Sequence, residues 1–203
     1  MFKDFPLNEK PKQRLILASA SPRRLDLLRQ IGVFPDKIIP ANINEGIIKT
    51  DTPRSLALRL AKAKAKAVKV SHDCDGYYIL GADTVVAVGS RILAKPVNSE
   101  QARGCLKLLS GRRSRVFGGI ALLSPSLEIR HRVVETKVKF KKLSEQEINS
   151  YIESGEWEGK AGSYAIQGIA SKFIPSINGS YSNIVGLPLY ETSQLMFGLG
   201  FTI

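Results

Sequence analysis

Near the start of the chain the apolar pattern changes its period within four residues. Residues 15–18 (LILA) are a short apolar run. After Ser19, Ala20, Ser21 and Pro22, the leucines Leu25, Leu27 and Leu28 recur at helical spacing up to Gly32. This reads as strand, tight turn and helix. A strand that feeds a helix so abruptly has to share a core with it, and the same alternation recurs further along, so the class expected is α/β.

Residues 54–69 place Leu56, Leu60, Ala63 and Ala67 on one helical face and turn Lys62, Lys66 and Lys69 elsewhere, as a basic amphipathic helix does. Residues 77–80 and 84–88 are strand-like runs that bracket Gly81, Ala82 and Asp83, and Gly89 turns the chain back toward Ile92 and Leu93. Asn98 with Gln101 is an asparagine-led capping box ahead of Ala102, Leu106 and Leu109, with Gly111 as the stop. Residues 116–123 and 133–140 read as strands able to pair as a hairpin. Ser144 with Glu147 starts a helix that ends at Gly155, residues 173–177 read as a strand, and Asn178 with Gly179 marks a turn. The sum predicts a long mixed sheet with helices packed around it. With 203 residues, 43% of them hydrophobic, and no linker or repeat, residues 1–203 are expected to form one domain with a cleft.

A formal charge of +12 attracts polyanions but does not choose among them. Only 7% of residues are aromatic and no RNP-like or KH-like signature occurs, which moves small polyanions ahead of nucleic acid and argues against a specific nucleic-acid partner. The apolar runs stop well short of the roughly 18 residues a membrane helix needs. Lys3, Lys10 and Lys12 mix with Asp4 and Glu9 without an apolar stretch behind them, so no secretory signal is read and a cytoplasmic location is expected. Cys74 and Cys105, outside any CxxC pair, are expected to be reduced and unremarkable.

Four groups of residues carry chemistry. Ser21 can cap the helix that Pro22 begins, and the free amides there, beside Ser19, Arg23 and Arg24, suit an anion; an ordinary capped helix with surface arginines fits those residues equally. Asp83, in GADTVV, is a lone carboxylate in apolar surroundings that must be satisfied or used, and Lys95 follows a hairpin that could return it to the same sheet edge; a structural ion pair is the alternative. The two histidines, His72 and His131, lack obvious partners, so a catalytic metal should be a hard cation held by Asp or Glu oxygens, water and phosphate, as magnesium or manganese is. In the glycine-rich stretches 155–168 and 179–188, Lys160 and Gln167 are the polar side chains expected to point inward, unless both stretches are plain surface turns.

In order along the chain, LILASASPRRLDLL, the stretch from Glu45 to Arg59 and Lys64, GADTVV, LAKP, LLSG, KAGSYAIQG and GSYSNIVGLPLYET closely resemble the Maf family of nucleotide pyrophosphatases. The resemblance implies a mixed-sheet fold related to inosine triphosphate pyrophosphatases, two lobes around a cleft, a homodimer, and a divalent cation. It implies phosphate binding by Ser19, Arg23 and Arg24, metal and water handling by Glu45 and Asp83, neutralisation of a triphosphate by Lys64 and Lys95, and completion of the site by Gln167. Arg23, Thr84 and the IQG around Gln167 resemble the subgroup acting on dTTP and UTP rather than the one preferring 7-methyl-GTP. Modified pyrimidine triphosphates are possible further substrates on the same resemblance.

Three positions depart from the family pattern: Ser114 stands where many members carry His, Gly118 where Thr is frequent, and Gly159 where Asp commonly precedes the lysine. The expected chemistry is attack of water on the α-phosphorus with pyrophosphate leaving, Asp83 acting as base. Rival readings are a house-cleaning enzyme for non-canonical purine triphosphates and a non-enzymatic nucleotide-binding regulator of cell division.

Overall fold

The computed structural model describes residues 13–202; the N-terminal residues on which the secretory-signal reading rests lie outside that range. In chain order the elements are β1 (Arg14–Ala18), α1 (Pro22–Gln30), β2 (Lys37–Ile38), α2 (Pro53–Ser71), β3 (Tyr77–Val88), β4 (Arg91–Leu93), α3 (Ser99–Leu109), β5 (Arg113–Leu123), β6 (Ile129–Lys139), α4 (Glu145–Glu153), β7 (Ser176–Asn178), α5 (Tyr181–Val185) and α6 (Leu189–Gly198). The strands form a seven-stranded sheet in the order β2-β1-β3-β5-β6-β7, with β4 beside β3. Strand β1 runs parallel to β2 and β3, and the remaining pairings are antiparallel, so the mixed α/β class is the one observed.

The longest correction to the sequence reading concerns β3. Residues 77–88 are one continuous strand, not two runs around an interruption. On one side β5 pairs with it from Ile79 to Ala87. On the other side β1 pairs with it only as far as Gly81, and β4 begins at Val86. Residues 82–85 therefore form a gap between two partners on that edge. The polar GAD segment marks the change of partner, not a break in the strand, because backbone pairing with β5 continues through it.

Helix α2 covers this region. Thr52 and Ser55 form a reciprocal capping box, Pro53 occupies the first turn, and the buried face is Leu56, Ala57, Leu60, Ala61, Lys64, Ala65 and Val68. Ala63 and Ala67 are only half-buried, so the face is rotated from the expected one and takes in Lys64. The helix backbone lies almost on the sheet, because Gly81 and Gly119 leave room for it. A Cβ on Gly81 would come within 2.3 Å of the Ala61 carbonyl oxygen, and one on Gly119 within 2.1 Å of the Ala57 carbonyl oxygen. This glycine seam brings the helix close enough for Lys64 to reach the strand.

On the other side of the sheet, the main core joins Leu15, Leu17, Leu28, Leu80, Ile120, Phe140, Tyr151 and Phe173. Ser144 and Glu147 form the expected capping box. Asn98 caps α3 by accepting from the Gln101 amide, but the Gln101 side chain accepts from Val97, one residue earlier than the motif predicts. The strand expected at residues 173–177 begins only at Ser176. Phe173 ends a 3-10 turn (Ile169–Phe173), and Pro175, lacking an N–H, cannot extend the ladder backward. No helix among the described residues is long and apolar enough to cross a membrane.

Candidate active site

At the unpaired edge of β3 opens a cleft of about 410 Å³, and Ser19, Ser21, Arg23, Arg24, Glu45, Lys64, Asp83, Thr84, Lys95, Lys160 and Gln167 all line it. The turn from β1 to α1 contributes Ser19 and Ser21, and the first turn of α1 contributes Arg23 and Arg24. The loop before α2 brings Glu45, α2 brings Lys64, β3 brings Asp83 and Thr84, the segment after β4 brings Lys95, and the chain after α4 brings Lys160 and Gln167. Every side chain nominated from sequence thus reaches one cavity, although the chain separates the first and last by most of its length.

Arg24 is buried, as Lys64 is. Its Nε donates to the Gly186 carbonyl at 3.0 Å, Nη1 to the Ser19 hydroxyl at 2.8 Å and Nη2 to the Thr84 hydroxyl at 3.3 Å. Burial lowers its pKa, opposed by the charges of Asp83 and Glu45. Those bonds lock β1, β3 and the Gly186 turn together, and the remaining N–H groups of the terminal nitrogens are not needed for them. Ser21 sits at the N-cap of α1 as expected, but its hydroxyl makes no cap bond; Ser19 Oγ accepts from the Ser21 amide instead. Gly186 was missed from sequence because its part is a backbone carbonyl, for which no side chain speaks.

The acidic pair is joined by a lysine. Lys64 Nζ lies 2.6 Å from Asp83 Oδ1 and 2.7 Å from Glu45 Oε1, and Lys95 Nζ is 3.9 Å from Glu45 Oε2. The Lys64 and Asp83 side chains are each 9% exposed, whereas Glu45 is 45% exposed. Burial pushes the Glu45 carboxyl up, but the Lys64 hydrogen bond with the charges of Lys64, Lys95 and Arg24 outweighs it, and the net pKa is lowered. The exposed loop carrying Glu45 is held by Arg59, which donates to the Gly46 carbonyl at 2.8 Å and pairs with Asp51. Arg59 is a second supporting residue that spacing alone could not reveal.

Five cations (Arg23, Arg24, Lys64, Lys95 and Lys160) face two carboxylates, so the cleft carries a net positive charge matched to a polyanion. Burial lowers the pKa of Lys160, opposed by Glu156 and Glu158. The two carboxylate oxygens held by Lys64 are separated by no more than the sum of its two bonds. Both carboxylates would serve a hard cation such as magnesium or manganese, with water and phosphate oxygens filling the rest of its coordination. Among the described residues no cluster of three or more His, Cys, Asp or Glu offers a preformed metal cage. Neither histidine lines the cleft: His72 Nδ1 pairs with the hydroxyl of its neighbour Ser71, and His131 lies elsewhere on β6. Both cysteines are free.

Each departure from the family pattern has a local physical setting. Ser114 is buried and donates to the Val138 carbonyl at 3.4 Å. A Cβ on Gly118 would fall 1.8 Å from Asn183 Oδ1; the Asn183 amide fills the notch that a larger side chain would occupy and donates to Val116, Val134 and Thr136. Gly159 has φ of 66°, a left-handed conformation costly for most side chains. Without an acid there, Lys160 Nζ donates to the Glu158 carbonyl at 3.2 Å.

A mixed α/β fold with a cationic cleft that holds two carboxylates at a sheet edge defines the class: a protein built to take a phosphorylated polyanion. The chain belongs to the family described as Maf-like protein, whose model matches residues 14–199. It is 54% identical over 196 residues to a dTTP/UTP pyrophosphatase of Rhodopseudomonas palustris, covering 95% of each chain. It is 53% identical to a dTTP/UTP pyrophosphatase of Mesorhizobium japonicum over 94% of each chain, and 51% identical to one of Agrobacterium fabrum over 95% of each. Among solved structures, a HAM1 protein from Coxiella burnetii is 17% identical with a TM-score of 0.45, covering 92% of this chain and 99% of that one.

Proposed function

We propose that this chain is a nucleoside triphosphate pyrophosphatase that hydrolyses dTTP and UTP, and modified pyrimidine triphosphates of similar shape, to the monophosphate and pyrophosphate. The observation that carries the proposal is the Glu45–Lys64–Asp83 arrangement inside a net cationic cleft. Two carboxylates facing a polyanion repel it unless cations intervene, and the five cations lining the cleft outnumber them. Relatives more than half identical over nearly the whole chain carry the same activity in their names.

Glu45 and Asp83 would hold a divalent ion, magnesium or manganese, which when bound polarises phosphoryl oxygens and lowers the pKa of water. Ser19, Ser21 and Arg23, the last also with its backbone amide at the start of α1, hold the phosphate chain, while Arg24 keeps that wall rigid. Asp83 orients the attacking water and takes its proton as the water oxygen bonds to the α-phosphorus. The bond from that phosphorus to the bridging oxygen breaks, and pyrophosphate leaves with the electron pair. Lys64, Lys95 and Lys160 stabilise the charge that builds on it. Thr84 and Gln167 face the nucleoside. The chain acts as one domain, as a homodimer in the cytoplasm.

The test is purified protein with magnesium or manganese, a nucleotide panel, and separate detection of pyrophosphate and orthophosphate. Pyrophosphate from dTTP and UTP in preference to ITP and 7-methyl-GTP is the expected result. Orthophosphate as first product, a purine preference, or binding without metal-dependent turnover would each overturn the proposal.

A further inference from the structure

Gln167 is exposed in the cleft, so its direction depends on the backbone around it. The amide of Gly168 donates to the Ala165 carbonyl at 3.1 Å, closing a turn with Ile166 and Gln167 at its centre. Ile166 is buried, which leaves Gln167 as the side chain turned toward solvent.

That turn is gripped at both ends by groups outside it. On one side, the Tyr151 hydroxyl accepts from the Ala165 amide at 3.0 Å. Tyr151 is fully buried on α4 with its ring edge-on to Phe173 at 5.8 Å, so its hydroxyl is a fixed acceptor. Burial pushes its pKa up to about 12, which keeps it neutral at working pH. On the other side, Glu156 Oε2 accepts from the Ile169 amide at 2.8 Å. The carboxylate lies directly over Gly168, where a Cβ would sit 2.2 Å from Oε2 and 2.6 Å from Oε1. Only glycine at 168 admits Glu156 this close.

We propose that Tyr151 and Glu156 are positioning residues that clamp the 165–168 turn from both ends and thereby aim Gln167 at the nucleoside. The proposal rests on the reading of Gln167 as a substrate-selecting group. Neither residue touches the substrate; each acts through one backbone amide, Tyr151 through that of Ala165 and Glu156 through that of Ile169, on either side of Gln167. Glu156 also raises the pKa of nearby Lys160, so charge and geometry have to be separated. Gln at position 156 keeps an acceptor for Ile169 and discards the charge, whereas Ala discards both.

The experiment compares kcat and KM for UTP and ITP in wild type, Tyr151→Phe, Glu156→Ala, Glu156→Gln, Gln167→Ala and the Glu156→Ala/Gln167→Ala double variant. Loss of one anchoring bond should raise KM for UTP roughly tenfold and narrow the UTP to ITP preference, with kcat nearly held. Glu156→Gln should stay near wild type. In the double variant, losing Glu156 should add nothing to losing Gln167. Amide exchange at Ile169 should speed up in Glu156→Ala and not in Glu156→Gln. Unchanged selectivity in Glu156→Ala, additive losses in the double variant, or Glu156→Gln as impaired as Glu156→Ala would overturn the clamp while leaving the Gln167 reading standing. Wild-type selectivity in Gln167→Ala would instead remove that reading, and the clamp with it.

Discussion

Replacing Lys64 by Met keeps most of the side chain's bulk and removes only the ammonium that joins Glu45 to Asp83. The two acids would not suffer alike. Glu45 is 45% exposed and water can replace its partner, whereas Asp83 is 9% exposed and stays in the wall of the sheet. Breaking a buried pair by removing one partner costs about 3–5 kcal/mol. Because one of the three groups, Glu45, is already half solvated, the lower end applies, and at about 2–4 °C per kcal/mol for a chain of this size the metal-free protein should melt roughly 6–12 °C lower. A divalent ion able to sit between the freed carboxylates would recover part of that loss, about 2.7 kcal/mol at a hundredfold excess over its Kd. Differential scanning calorimetry in EDTA, then in magnesium or manganese, reads both effects. A Lys64→Met protein that melts with the wild type in EDTA, or one whose ion-induced stabilisation is no larger than that of the wild type, refutes the reasoning.

Three further outcomes are expected. Asp83→Asn should lower kcat by roughly 10²-fold to 10⁴-fold, as loss of a general base does, and near-normal turnover would defeat the assignment. Gly119→Ala should destabilise beyond the about 1–3 kcal/mol of ordinary overpacking, because the added carbon meets the Ala57 backbone at 2.1 and 2.4 Å and no rotamer relieves it; urea denaturation measures this. The folded pKa of Glu45 lies below its ordinary 4.5, so its stabilisation is present above that value and fades as pH falls through the folded value. Metal-free wild type should therefore lose melting temperature more steeply below pH 4.5 than Glu45→Gln, and parallel curves would count against the pairing.

The features legible in the sequence are those that a few neighbouring residues decide. Ser144 with Glu147 caps α4 through bonds spanning three residues, and Pro22 starts α1 where its fixed φ fits. The site residues were legible as types, because phosphate and metal chemistry draw on few side chains and Asp83 stood alone in an apolar run. The amphipathic face of α2 was misjudged by a small rotation, since Lys64 counts as polar in any periodicity yet is buried with its partners.

Tertiary structure decided what depends on distant partners. That β3 continues through Asp83 while its neighbour changes from β1 to β4 follows from ladder pairings, which the strand's own residues do not specify. Which carboxylates share Lys64 and why Arg59 steadies the Glu45 loop depend on the approach of α2 to the sheet, and how Tyr151 and Glu156 grip the turn below Gln167 depends on the packing of α4 and the chain that follows it. Periodicity and capping are encoded within a turn or two of chain; hydrogen bonds between segments far apart in sequence exist only once the core has brought those segments together.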